Sequence, residues 1–506
     1  MTLALRPYQV DAIERIRTAI RQGARRIVVV APTGAGKTIM FTELIRLALA
    51  KGHRVLNLAH RLELIDQISA KLEILGLDHG VIQGSHWRVR PWCPVQVASV
   101  PTLSRRERLP EASVINVDEC HHTTAPSFAG VIKSYDPDTV VLGWTATPER
   151  ADGTGLGEHY DQIIEVASVS ELIAQGYLVP PRVFAPSTPS VVGVRIVGGD
   201  FNKKELSRAV DRPSLVADVV DTWLHRAGPS SAGGLRTTVV FAVSIEHSKH
   251  LVDRFVTAGI RAEHLDADTP EDERRAILAR VATGETTIVS NVGILTEGWD
   301  LPRASCVVQA RPTMSRGLYC QMTGRGLRIS CSDCGGGDVN ACTSPNHKRD
   351  CLILDHAGNC HRHRFVTDPR VYSLEGTRAP NRAAIPAVRT CLNCAAVCPS
   401  SAVNCTFCDT PFPVKKRVII ERPGKLELAP GQSPLPLADT VPEDHLAKAL
   451  AKLLVDEREH NYSPARAPLI YKKMFGASVT TEILTKARQI AAARLAPHNS
   501  LSQAGA

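Results

Sequence analysis

The chain has 506 residues, which at roughly 150 residues per domain implies about three domains and rules out a single small binding module. Its 43% hydrophobic and 22% charged residues are ordinary for a folded globular chain and exclude wholesale disorder, a collagen-like rod or a coiled coil. The net charge of +9 leans toward polyanionic partners. No apolar stretch approaches the roughly 20 residues that span a bilayer, so no membrane association is expected. Met1 to Leu5 runs into Arg6-Pro7 without the apolar core of a secretory signal, so a cytoplasmic location is expected. Ten of the 14 cysteines fall between Cys331 and Cys408, a clustering that in a reducing compartment points to metal rather than disulfides.

In chain order, residues 10–21 carry Ala12, Ile13, Ile16 and Ile20 on one stripe and read as a helix. Runs at 26–31, 54–59, 95–99, 113–118 and 139–143 are rich in β-branched residues and alternate with amphipathic stretches, the pattern of a parallel sheet with crossover helices. A first domain at 1–167 follows. Residues 168–234 read as a connector and entry to a second domain, ending in the flexible-looking Gly228 to Gly234. The second strand-helix series, at 237–241, 288–290, 306–308 and 351–354, gives a domain at 235–375 with a Cys-rich insertion at 329–350. A cysteine ribbon at 385–414 and a linker with helical segments at 415–506 complete the chain.

The strand at 27–31 runs into Pro32-Thr33-Gly34-Ala35-Gly36-Lys37-Thr38 and then a helix. A Gly-rich loop between strand and helix lets backbone amides surround phosphate oxygens at a positive helix terminus; Lys37 reaches the terminal phosphates and Thr38 ligates magnesium. Asp118-Glu119 follows another buried-looking strand. Asp118 is the candidate magnesium holder, and Glu119 the general base for an attacking water.

With the P-loop, six further segments occur in the order found in superfamily 2 helicases, and the chain resembles that superfamily from about Leu5 to Arg328. Leu5-Arg6-Pro7-Tyr8-Gln9 looks like an adenine-recognising Q motif, Ala59-His60-Arg61 like motif Ia, Asp118-Glu119-Cys120-His121 like a DExH box and Thr145-Ala146-Thr147-Pro148 like motif III. Thr296-Glu297-Gly298-Trp299-Asp300 looks like motif V, and Gln321 to Arg328 like motif VI. Within the superfamily, Gly143 to Arg150 followed by Asp152-Gly153, Gly176-Tyr177-Leu178 and Asp350 to Asn359 resemble RadD-type bacterial helicases and related phage enzymes, which implies the cytoplasm of a bacterium or of a phage-infected bacterial host.

The resemblance implies two tandem RecA-like α/β domains that hold ATP and Mg2+ between them. Arg6, Gln9, Thr33, Gly34, Ala35, Gly36, Lys37, Thr38, Asp118 and Asp300 are the implied nucleotide contacts. Glu119, Gln321, Arg325 and Arg328 are the implied catalytic residues, the two arginines serving as fingers from the second domain. A nucleic-acid strand would lie on Arg61, Ser99 and Thr102 of the first domain and Ser244 and Thr296 of the second, through its phosphates. The implied activity is ATP-dependent helicase or translocase action on single-stranded, forked or branched DNA in repair, recombination or replication, with a single-strand-binding or repair protein as further partner. The competing readings are a motor that translocates or anneals without unwinding, an RNA helicase, and an ATP-binding DNA scaffold.

Cys391, Cys394, Cys405 and Cys408 have the spacing of a zinc ribbon, two thiolates from each Cys-x-x-Cys turn completing a tetrahedral structural site. Cys398 is spare. Cys331, Cys334, Cys342 and His347 form a candidate Cys3His zinc site in the insertion, with Cys351 as the alternative fourth ligand. The segment from Lys415 carries basic runs near aromatics and is assigned no chemistry.

Overall fold

The computed structural model describes residues 5–60, 62–84, 86–123, 125–148, 153–296, 299–335, 337–375, 387–413, 442–459, 463, 466–475 and 478–495. The chain divides into two compact units, Met1–Val414 and Lys415–Ala506. No helix among the described residues is long and apolar enough to cross a membrane.

The first sheet is built from β1 (Arg26–Val30), β2 (Val55–Ala59), β3 (Gly80–Ile82), β4 (Val95–Ser99), β5 (Val114–Asp118), β6 (Val140–Thr145) and β7 (Gln162–Glu165). They lie in the order β3-β4-β2-β5-β6-β1-β7, every pair parallel. Parallel strands need crossover helices, and these cover both faces, so the strands read as unbroken apolar runs. Alternation then sends Ile27 and Val29 to one face, in a core with Ile16, Phe41 and Ile65, while Val28 and Val30 pack on the other with Phe128 and Ile132. The helix expected at 10–21 runs Pro7–Arg21, opened by a proline that needs no amide partner there. The short strands β3 and β7 were not legible, having too few residues for a period.

The second sheet comprises β8 (Pro181–Phe184), then, beyond a small hairpin of β9 (Ile196–Val197) and β10 (Asp200–Phe201), β11 (Thr238–Phe241), β12 (Ala262–Leu265), β13 (Ile288–Asn291), β14 (Cys306–Gln309) and β15 (Cys351–Asp355). Its order is β12-β13-β11-β14-β15-β8, again parallel throughout. The stretch read as connector and entry to the second domain therefore supplies an edge strand of that domain. It also supplies the helix Pro213–Ala227, whose Val216, Val219, Val220 and Trp223 enter that domain's core. Trp223 is fully buried, edge-on to Phe255, and its indole donates to Thr238 Oγ1 at 2.8 Å. Gly228 to Gly234 forms hydrogen-bonded turns rather than an open linker.

The cysteine ribbon pairs β16 (Val388–Thr390) with β17 (Val397–Pro399) and docks on the β8 edge. The Ala185 amide donates to the Ala395 carbonyl at 2.9 Å, and Phe184 meets Phe407 at 5.3 Å between ring centroids. The ribbon thus covers a sheet edge whose backbone groups would otherwise face solvent. The second unit packs helices Glu443–Glu459, Arg466–Phe475 and Thr481–Leu495 around Leu446, Leu450, Tyr471, Ile483 and Ala487.

Trp223→Ala removes a buried ring and an indole hydrogen bond together, and is expected to destabilise the second domain by about 3–5 kcal/mol. Urea unfolding would register this as a lower midpoint for that domain's transition, with Trp223→Phe intermediate; an unchanged midpoint would contradict the packing described.

Candidate functional site

Chemistry in open parallel sheets collects at the carboxyl ends of the strands, and three adjoining strands deliver it here. The loop after β1 turns through Gly34 and Gly36 with φ of 92° and 78°, a backbone that side chains disfavour. A Cβ on Gly36 would lie 2.5 Å from Gln9 Nε2, so the glycine also makes room for the first helix. From that helix, Gln9 Nε2 and the Tyr8 hydroxyl both donate to the Ala35 carbonyl at 3.0 Å. The Arg6 guanidinium lies 4.5 Å from the centre of the Tyr177 ring, forming one side of the cleft.

Lys37 starts the helix Lys37–Leu49, and its ammonium donates to Glu119 Oε1 at 2.7 Å, with both side chains more than four-fifths buried. Burial works against the charged lysine, but the carboxylates of Glu119 and Asp118 outweigh it and hold the Lys37 pKa above its ordinary value. Glu119 itself has φ of 49°, a left-handed conformation that is costly for a non-glycine residue and is retained where surrounding contacts enforce it. Its amide accepts that turn by donating to Asp118 Oδ1 at 3.0 Å. Glu119 Oε2 lies 3.4 Å from His121 Nδ1 and 3.5 Å from the Thr145 hydroxyl. Thr145, at the end of β6, also donates to the Thr147 carbonyl at 2.9 Å. Motif III is thereby joined to the DExH carboxylate through a single hydroxyl.

The second domain closes the same cleft, of about 840 Å³, with Trp299, Asp300, Arg325 and Arg328 opposite Thr33, Gly34, Lys37, Thr38, Asp118 and Glu119. Arg325 donates through Nε and Nη2 to the Thr296 carbonyl at 3.1 and 2.7 Å, and through Nη1 to the Trp299 carbonyl. Arg328 donates to that carbonyl at 3.0 Å and to Asp300 Oδ1 at 2.6 Å. The two domains touch closely: a Cβ on Gly324 would come within 2.6 Å of Thr33 Cβ. Gln321 is buried one turn before Arg325 and lies outside the residues lining the cleft.

Ser99 ends β4 and precedes a short helix that holds Thr102. Ser244 caps the helix Ile245–Thr257, accepting from the His247 amide at 3.2 Å, and Thr296 is buried with its hydroxyl donating to Gly293 at 3.1 Å. Those two hydroxyls already serve the fold. Arg61, Glu297 and Gly298 lie outside the described residues.

Both proposed ligand sets are assembled. In the ribbon, Cys391 and Cys408 Sγ are 3.6 Å apart, as are Cys394 and Cys405. In the insertion, Cys331 and Cys342 Sγ are 3.9 Å apart, and Cys334 Sγ is 3.5 Å from His347 Nδ1. Within each set all donor atoms lie within 4.8 Å of one another. Tetrahedral zinc with Zn–S of about 2.3 Å spaces its sulfurs about 3.8 Å apart, so both sets fit the ion. Hydrogen bonds from the Thr410 hydroxyl and amide bring the Cys408 thiol down to about 6, favouring the thiolate a metal needs. Cys351 is not in the second set: it is fully buried in β15, and desolvation pushes its thiol up to about 11. The spacing did not reveal that the insertion borders the cleft through Cys331 and Gly335, or that Tyr177 supports Arg6.

Comparison with known proteins agrees with this geometry. Residues 2–150 match the family described as type III restriction enzyme, res subunit, and residues 231–330 match the helicase conserved C-terminal domain. A 51.5 kDa protein of Lactococcus phage (isolate 7-9) is 29% identical over 76% of this chain and 78% of its own length. IRC3 of Saccharomyces cerevisiae, whose name places it among ATP-dependent helicases, is 33% identical over 70% of this chain, which spans only 51% of that protein. Among solved structures, a fragment assigned as the HsdR subunit of a type I restriction enzyme from Vibrio vulnificus YJ016 shares the fold, with TM-score 0.55 and 22% identity over 73% of this chain and 68% of that one. The two matched domains, in this order around one cleft, are those of the superfamily 2 helicases, nucleic-acid-dependent ATPases to which this chain is similar.

Proposed function

We propose that the chain is an ATP-driven motor that moves on or remodels DNA, with single-stranded, forked or branched DNA as its track, in repair, recombination or replication. The observation that carries this is the joining of Lys37, Asp118 and Glu119 from the first domain and Arg325 and Arg328 from the second around one cleft. Lys37 would bind the terminal phosphates of ATP, and the loop amides would cradle the rest. Asp118 and Thr38 would hold Mg2+, which supplies charge neutralisation on the phosphates.

Glu119 would take a proton from the attacking water as its oxygen bonds to the γ phosphorus and the bond to the ADP oxygen breaks. Thr145 and His121 position that carboxylate. Arg325 and Arg328, turned from the Thr296 and Trp299 carbonyls and from Asp300, would neutralise the charge that develops on the transferred group. Because acid and arginine groups come from different domains, hydrolysis depends on how closely the domains approach. Binding across both domains then converts that motion into movement on the strand. Zinc in the ribbon and in the insertion would act structurally, the ions closed off by four protein ligands each.

Glu119→Gln is expected to retain ATP affinity while lowering steady-state turnover about a hundredfold or more, as removal of a general base does; wild-type turnover would exclude Glu119 as the base. Metal analysis of the purified chain is expected to give about two zinc ions, four ligands serving each. A single ion that survives Cys334→Ser but is lost in Cys394→Ser would exclude a metal in the insertion.

A further inference from the structure

Two of the five tryptophans are wide open to solvent, and both lie in the crossing from β3 to β4: Trp87 is 72% exposed and Trp92 70%. Leaving an indole in water forgoes the large gain from burying it, so an exposed tryptophan held in place invites a ligand. Trp87 is held. The Arg88 guanidinium lies 4.5 Å from its ring centre, and the His86 ring lies 5.8 Å away at 23°, nearly parallel. Both supports are themselves anchored: Arg88 donates to Glu73 at 2.6 Å, and His86 Nδ1 accepts from the Arg88 amide at 3.0 Å.

The register fixes where this ring sits. Ile82 pairs with Ala98, so the chain leaves the sheet beside Ser99. The His86 amide then donates to the Gln83 carbonyl in a turn, and the Val81 amide donates to the Arg88 carbonyl as the chain folds back. Trp87 therefore stands at the carboxyl end of the sheet edge, the same side as the P-loop and the DExH box. Beyond Ser99 and its short helix come exposed Arg105, Arg106 and Arg108, with Glu107 the acidic residue among them. Trp92 is at the other end: the neighbouring Pro94 carbonyl accepts from the Val55 amide, the first residue of β2.

We infer that Trp87 is a stacking platform for unpaired nucleobases, at the carboxyl edge of the first sheet beside the basic loop that follows Ser99. This rests on the motor reading above and adds to it a contact with bases where the phosphate contacts carry none. An indole face accepts any base, so the contact grips without reading sequence. The neighbouring arginines draw the phosphates of the same strand.

The test uses the full chain, with oligodeoxythymidylate, oligouridylate and an abasic deoxyribose-phosphate strand of equal length as probes. The thymidylate is expected to quench tryptophan fluorescence in the wild type and in Trp92→Ala but not in Trp87→Ala. Trp87→Ala is expected to bind it about 5- to 150-fold more weakly, the range that loss of one stacked base gives, with an unchanged thermal midpoint. Trp87→Phe should recover part of the affinity, and the abasic strand should bind wild type and Trp87→Ala alike. The uridylate arm shows whether RNA bases are accepted equally. Equal affinity of wild type and Trp87→Ala for thymidylate, or an equal loss in Trp92→Ala, would overturn the stacking site and leave the motor reading standing. Dimerisation of the wild type that Trp87→Ala abolishes, with oligonucleotide affinity unchanged, would assign the edge to a second copy. Failure of the wild type to bind any oligonucleotide would overturn the motor reading and the stacking site with it.

Discussion

The ion pair between Lys37 and Glu119 is the constraint on which the rest of the site depends. Two opposite charges, delivered from the carboxyl ends of β1 and β5 on either side of β6, have been taken out of water, which is costly unless each is compensated. Asp118, His121 and Thr145 supply the remaining compensation, and they do so from the ends of β5 and β6 and the turn between. A parallel sheet is what makes such a meeting possible, since its strands all end on one side and its crossovers leave that side open. The left-handed backbone at Glu119 fits the same picture, because it aims the carboxylate back across the sheet edge at Lys37.

The second domain approaches the cleft closely at its backbone, and one apolar core runs through residues of both domains. Gly324 against Thr33, and Gly34 against Leu178 and Arg328, are contacts that a larger side chain would prevent. They bring Arg325 and Arg328 to the wall opposite Lys37. The cysteine insertion belongs to the same wall, and the Val339 amide within it donates to the Gly176 carbonyl at 3.0 Å, next to Tyr177. A four-ligand cluster is a compact way to hold a glycine-rich segment of this kind, which has little apolar surface of its own to bury. The ribbon does a different job, covering the exposed edge of the second sheet.

Much of this was legible in the sequence where the chemistry is local. The P-loop, the DExH box and both cysteine sets are short segments recognisable one by one; spacing gathers the four donors of each cysteine cluster, whereas Lys37 and Glu119 meet through the strand order. The long β-branched runs were equally plain, since strands buried on both faces leave unbroken apolar stretches. What was not legible depends on distant pairing. Residues 181–184 carry a proline and an arginine and become a strand only because β15, which lies about 170 residues later in the sequence, offers an edge. Gln321 shares a motif and a helix with Arg325, yet it is buried and is not among the residues that line the cleft. The exposure of Trp87 has no signature in sequence, because it comes from the fold-back of the chain after a short edge strand.

The central claim is that one cleft, built on the Lys37 and Glu119 pair, couples ATP hydrolysis to a nucleic-acid track. The most direct measurement is the steady-state ATPase rate without nucleic acid and with single-stranded DNA, forked DNA and RNA, in the wild type and in Lys37→Ala. The account predicts strong stimulation by DNA, greatest with the preferred track, and its loss in Lys37→Ala. Hydrolysis that no polynucleotide changes, or stimulation that persists in Lys37→Ala, would contradict it.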